Sequence, residues 1–158
     1  MFVFSGIIGF IYEEIFYYFD LGMIVKRGTT FGPWIPVYGF GTLFITLVCY
    51  NLRKKPLLVF LLATLISAIV EFSTGYVVYN FFHTRLWDYN IEILNFGNIG
   101  GYICLRSVLL FGISSLFLFY GALPIFEKIN SKNNKLIKII SISLFSLFIL
   151  DIILSAIF

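Results

Sequence analysis

Five ionisable residues sit inside long apolar stretches of this sequence: Glu13, Glu14, Glu71, Arg106 and Asp151. A charge within hydrocarbon is costly, so such groups face a protein interior or a water-filled cavity and mark sites for ions, protons or polar ligands. Carboxylates at these depths can pair with a cation, coordinate a solute or a lipid headgroup, or act as an acid/base pair. The plainer alternative is a buried ion pair, Glu71 and Glu13 or Glu14 with Arg106, Arg27 or Lys26. Desolvation makes such pairs weak evidence for stability by themselves.

Spacing places these groups on shared faces. Thr64, Ser67, Glu71 and Gly75 recur at three- and four-residue intervals, giving one small, polar stripe on a helix. Gly6, Gly9 and Glu13, continued by Tyr17 and Asp20, do the same. Ser141, Asp151 and Ser155 share a face of a third helix. Asp151 stands apart from the others and reads most simply as a hydrogen-bonding group within the bundle. Glu14 lies about 100° from Glu13 on a helix, so both need not face one cavity.

The elements that must position these groups are membrane helices. The chain has 158 residues, 60% apolar, 20% aromatic and only 12% charged, where a soluble domain carries about 25% charged residues. A spanning helix needs about 20 mostly apolar residues. Five stretches qualify: Phe2 to Phe19, Ile35 to Leu52, Leu57 to Phe82, Tyr102 to Ala122 and Ile139 to Phe158. The expected fold is an all-α polytopic bundle of about five transmembrane helices, forming a single transmembrane domain over residues 1–158. No internal repeat and no low-complexity tract interrupts it. The first stretch contains Glu13 and Glu14 and lacks a basic n-region, so it reads as a retained span rather than a cleaved leader.

Two segments are irregular. "RGTTFGPWIPVYGFG", Arg27 to Gly41, holds two prolines and four glycines. Pro33 and Pro36 disfavour helix at the residues before them, so Phe31 to Pro36 is expected to be a non-helical, re-entrant-like entry to the second span. "HTRLWDYNIEILNFGNIGG" follows the third span. Backbone of this kind is tolerated at membrane depth where protein or water satisfies it. Trp34, Tyr38, Trp87 and Tyr89 suit an aromatic belt at the headgroup level.

The net charge of +3 lies in loops between spans and serves topology rather than nucleic-acid binding. The loops after spans two and four, the latter being Glu127 to Lys138, carry seven cations: Arg53, Lys54, Lys55, Lys128, Lys132, Lys135 and Lys138. The opposite loops carry Lys26, Arg27 and Arg85. The excess points to a cytoplasmic N-terminus and an outer C-terminus, with both irregular segments and all five intramembrane charges toward the outer face. Cys49 and Cys104 lie in apolar stretches outside any ligand pattern and read as small buried hydrophobes. His83, the lone histidine, reads as a solvated or capping residue. No metal site or cofactor is expected.

The combination resembles a known family. An acidic pair in span one, "KRG" then "GPWIPVYGFG", a glutamate in span three, "WDYN" and "GGYICL" occur in that order over about Gly9 to Gly112. This is similar to the small membrane proteins of the "putative ABC-transporter type IV" family. The match falls on Glu14, Arg27, Gly28, Gly32, Pro33, Pro36, Tyr38, Gly39, Gly41, Glu71, Trp87, Asp88, Tyr89, Gly101 and Ser107. Asn90 stands where the family usually has serine, and Tyr102 where it has arginine; Arg106, one turn on, is a candidate to replace that cation. The resemblance implies a permease-like fold. It leaves three functions open: a transport component in a bacterial plasma membrane, an intramembrane enzyme acting on a lipid or headgroup, and an accessory or signalling subunit without transport. No GxxxxGK[ST], HExxH or GxSxG motif is present, so ATP hydrolysis would need a separate ATPase subunit and the familiar hydrolase chemistries are missing. Besides the lipid bilayer, a homo-oligomer is a plausible partner, because five spans are few for a solute pathway. The candidate binding residues are Glu13, Glu14, Arg27, Tyr38, Glu71, Trp87, Asp88 and Arg106.

Overall fold

A computed structural model describes residues 1–131 and 135–157; Lys132 and Phe158 lie outside the described residues. The fold is all-α, with no strand among the described residues. The helices are α1 (Phe2–Leu21), α2 (Pro36–Cys49, continued by a 3₁₀ turn Tyr50–Leu52), α3 (Pro56–Phe82), α4 (Leu105–Phe117), α5 (Leu123–Ser131) and α6 (Lys135–Ile157). A π turn, Leu118–Ala122, joins α4 to α5 without a break. Four helical stretches are long and apolar enough to cross a membrane: Phe2–Leu21, Pro56–Phe82, Leu105–Ser131 and Lys135–Ile157. The fifth, α2 with its 3₁₀ turn, is roughly 27 Å long at the usual rises per residue, at the short end for a bilayer core of about 30 Å.

Local sequence explains the helix ends. Pro56 occupies the first turn of α3, where its missing N–H costs nothing. Gly22 and His83 end α1 and α3 in left-handed conformation, each returning its N–H to the carbonyl four residues back, at Tyr18 and Tyr79. His83 is therefore an exposed capping residue. The polar stretch Glu127 to Lys138 is more helical than the sequence suggests: α5 runs on to Ser131 and α6 begins at Lys135. An amphipathic turn can keep its lysines in water while remaining helical, which a count of apolar residues does not detect.

The chain forms two compact units, residues 1–42 with 122–158, and residues 43–121. In the first, the small stripe of α1 is the packing face: Val3, Gly6, Gly9 and Tyr17 are its buried residues. The segment Gly22 to Ile35 is non-helical; the left-handed Gly22 ends α1, Pro33 lies within the segment, and Pro36, expected in the non-helical entry, instead opens α2. It lies on α1 at Gly6, whose carbonyl accepts the N–H of Ile35 at 3.0 Å. Trp34 and Ile35 are buried, and Trp34 packs in a small core with Val3 and Phe148. In the second unit, α3 packs along α4, with Val59, Ala63, Ser67 and Glu71 buried at four-residue intervals. Elsewhere the helices expose large apolar side chains, among them Ile8, Ile11, Ile15, Leu61, Leu65 and Ile69. Surface of this kind belongs against lipid.

Gly9 has a specific task. A Cβ there would overlap the Tyr38 ring, so only glycine lets that ring lie on α1. Gly9→Ala is expected to destabilise the protein by about 1–3 kcal/mol through overpacking. Thermal unfolding in detergent measures this; an unchanged midpoint would mean that Tyr38 does not pack there.

Candidate functional site

Each unit gathers its own polar groups around one irregular segment. In the first unit, Arg27 is the centre. Its Nε donates to Glu13 Oε2 at 3.0 Å, and its backbone N–H donates to Glu14 Oε1 at 3.0 Å. Both members of the acidic pair therefore reach one residue, despite the angle between them on the helix, because one meets its side chain and the other its backbone. The guanidinium lies 3.8 Å from the centre of the Tyr17 ring. Tyr38 donates its hydroxyl to Glu13 Oε1 at 3.1 Å.

The same segment is tied to α6. Asp151 Oδ2 accepts Trp34 Nε1–H at 2.7 Å and the Gly32 N–H at 3.1 Å. One turn on, Ser155 accepts the Phe31 N–H at 3.2 Å. Asp151 is thus a hydrogen-bonding residue within the bundle. These contacts supply the partners that non-helical backbone needs at membrane depth. Trp34 is buried with its N–H bonded inward, so it does not belong to an aromatic belt.

In the second unit, the loop between α3 and α4 folds into a hydrogen-bonded lattice. Asp88 Oδ1 accepts from Arg85 Nη1 at 3.3 Å, from the Asn90 N–H at 3.0 Å and from Asn90 Nδ2 at 2.7 Å. Asn98 Nδ2 donates to Asn90 Oδ1, and the Gly101 N–H donates to Asn98 Oδ1, both at 2.8 Å. Trp87 Nε1 donates to the Tyr102 carbonyl at 2.9 Å. Asp88 and Trp87 accordingly shape the loop. Asn90 takes part in this lattice as both donor and acceptor, which gives the departure from the family's serine a role here. Gly101 adopts φ +79°, and a Cβ on it would collide with Arg85, Asp88 and Asn90. Gly101→Ala is expected to cost about 1–3 kcal/mol in backbone strain alone, read as a lower unfolding temperature. A midpoint equal to that of the wild type would contradict the lattice.

The lattice delivers Tyr89 and Glu92 into the unit's interior; both are buried. Tyr89 donates its hydroxyl to Glu71 Oε1 at 3.0 Å. Burial pushes the Tyr89 hydroxyl's pKa well above the ordinary tyrosine value, so it remains a donor across the physiological range. Ser107, in the first turns of α4, places Oγ 2.7 Å from Glu71 Oε2 and 2.9 Å from the Cys104 carbonyl oxygen. Glu71 is 6% exposed. Arg106 donates from Nη2 to Glu92 Oε2 at 2.6 Å, and its guanidinium lies over the Tyr89 ring. Two hydrogen bonds of Glu71 therefore run to hydroxyls, and Glu92, from the loop, binds Arg106. Tyr89 and Ser107 lie among the residues that carry the family resemblance. Glu92 carries no such signal: it stands among apolar residues in a polar loop, and burial alone reveals it.

The candidates thus separate into groups: Glu13, Glu14, Arg27 and Tyr38 in one unit; Glu71 with Tyr89 and Ser107, Arg106 with Glu92, and the loop residues Trp87 and Asp88 in the other. Apolar helices enclosing carboxyls, hydroxyls and guanidinium groups define an integral membrane protein with polar clusters built into its spans. The model of the family described as "Putative ABC-transporter type IV" matches residues 1–156, and the chain belongs to that family. Comparison with curated proteins and with solved structures found no match.

Proposed function

We propose that this protein is the permease-like membrane component of a transporter in a bacterial plasma membrane, and that Glu71, with Tyr89 and Ser107, forms its binding site. One observation carries the reading: Glu71 is buried in a span and holds the hydroxyls of Tyr89 and Ser107 on its two oxygens. Hydroxyls can rotate, so both can turn from Glu71 to an arriving ligand. The other intramembrane carboxylates hold structure: Glu13, Glu14 and Asp151 fasten the segment before α2. Arg27 and Tyr38 complete that fastening, and Arg106 anchors the loop through Glu92. Energy from ATP would come from a separate ATPase subunit, since the chain carries no phosphate-binding loop; a homo-oligomer would supply further spans for a pathway. Exchange of labelled inorganic cations, amino acids and phospholipids across proteoliposomes tests the reading, because exchange requires no ATP. Uptake of at least one species above protein-free vesicles is expected. Rates equal to protein-free vesicles across the panel would sink it.

The proposed topology has the N-terminus cytoplasmic and the C-terminus outside, on the excess of lysine and arginine at one side. Cysteines placed at Lys128 or Lys138 should resist an impermeant thiol reagent in intact cells. Cysteines at Arg85 to Tyr89 should label. The reverse pattern would overturn this orientation.

A further inference from the structure

The loop between α3 and α4 is built inside out. Its polar side chains bond one another: Asp88 Oδ1 accepts from Asn90 Nδ2 at 2.7 Å, and Asn98 Nδ2 donates to Asn90 Oδ1 at 2.8 Å. Glu92 is buried, with its carboxylate 2.6 Å from Arg106. The apolar residues around Glu92 in sequence are the exposed ones. Ile91 is 84% exposed, Leu94 62% and Phe96 53%, and Ile93 and Ile99 are exposed as well. Single apolar residues on a surface are ordinary. A run of this density is a patch, and such patches mark contact with a partner or a membrane.

Three features identify the occupant as lipid. The first is position. The loop starts after Phe82 and ends at Leu105, so it joins two helical stretches that are each long and apolar enough to span a bilayer. The exposed apolar surface of α3 runs to its last residues, Phe81 and Phe82, so side chains suited to lipid reach the end at which the loop begins. The second is charge. From Leu86 to Leu105 the sequence holds two charged residues, Asp88 and Glu92, and Arg85 and Arg106 pair with them. A protein partner is met through an apolar core with a polar rim; this run offers the apolar part with its charges already paired. The third is the backbone. Ile91 N–H donates to the Asp88 carbonyl at 3.3 Å, Ile99 N–H to Ile103 at 3.0 Å, and the Phe96 carbonyl accepts the Leu105 N–H at 3.0 Å. Internal partners of this kind are what non-helical backbone needs where water is scarce.

We propose that residues 91–99 form an interfacial anchor: Ile91, Leu94 and Phe96 enter the phospholipid leaflet on their side of the membrane, at the boundary of headgroups and acyl chains. Inserted apolar faces lie about 5–10 Å deep there. The anchor holds the loop, and with it Tyr89 and Glu92, at a fixed level against the membrane surface. It depends neither on the permease reading nor on which side of the membrane the loop occupies.

Nitroxide labels on Ile91→Cys, Leu94→Cys and Phe96→Cys, one at a time in the full chain and in phosphatidylcholine vesicles, test the anchor by power-saturation spectroscopy. Cys49 and Cys104 are buried, and the unsubstituted protein gives the labelling background. Access to oxygen above access to an aqueous nickel chelate is expected at two or more of the three sites. A label on Lys128→Cys, an exposed position, supplies the aqueous pattern, with the chelate favoured. Chelate access like that of Lys128 at two or more loop sites would overturn the proposal. Low access to both reagents there would overturn it too, because protein would then cover the patch. Should the labelled variants fail to fold, the unsubstituted protein answers the same question. In vesicles holding a phospholipid with a diazirine near the carbonyl end of its acyl chain, photolysis should modify the peptide containing Ile91 to Phe96. Modification of α3 peptides without modification of this one would overturn the anchor.

Discussion

Arg106→Gln is expected to lower the unfolding free energy by about 3–5 kcal/mol, the usual cost of removing one partner from a buried ion pair. Side-chain exposure is 14% for Arg106 and 4% for Glu92, so the stranded carboxylate cannot reach water. Adding Glu92→Gln should recover much of the loss, since two neutral amides can hydrogen-bond to each other. Combining Arg106→Gln with Glu71→Gln should recover less, because it leaves Glu92 ionised and stripped of the bond that Arg106 made to it. Thermal unfolding of the single and double variants in detergent provides the cycle. Equal recovery from the two second-site changes would show that Arg106 is shared between the carboxylates.

Asp151→Ala should be nearly as damaging, by a different route. It strands the Trp34 indole N–H and the Gly32 amide. Each donor left unsatisfied costs on the order of 1–3 kcal/mol, and Trp34 is 8% exposed. Asp151→Asn keeps a carbonyl acceptor and should cost visibly less. Because these bonds fix the segment before α2, limited proteolysis should cut Asp151→Ala between Lys26 and Ile35 faster than the wild type. Unchanged cleavage, with unchanged stability, would mean that α6 does not hold this segment.

Much of this was readable from residue types at short range. The stripe Gly6, Gly9 and Glu13 marks the face of α1 that packs, since small residues admit close neighbours and Glu13 sits on the same line. Pro33 and Pro36 announce backbone without helix, and the structure has none from Gly22 to Ile35. Glu71 is buried as its stripe requires. What escaped were partners far apart in sequence. Asp151 meets Gly32 and Trp34 across 119 and 117 positions, a distance at which spacing carries no information. The loop lattice carries Glu92 inward to Arg106, a partner that only the fold of that loop shows. The aromatic-belt reading of Trp34 and Tyr89 failed for a related reason: a polar tip that suits the headgroup region suits a buried carboxylate equally well.

The role assigned to Glu71 is the claim on which the functional account depends. Glu71→Gln retains size and hydrogen-bonding capacity while removing the ionisable carboxyl, so it separates a binding role from a structural one. The direct measurement is solute exchange by Glu71→Gln in proteoliposomes, normalised to folded protein and paired with its thermal midpoint. The account predicts a midpoint close to that of the wild type and exchange reduced at least tenfold, equivalent to about 1.4 kcal/mol of lost function. Wild-type exchange in a stable Glu71→Gln protein, or a collapse of stability that accounts for all the lost exchange, would contradict it.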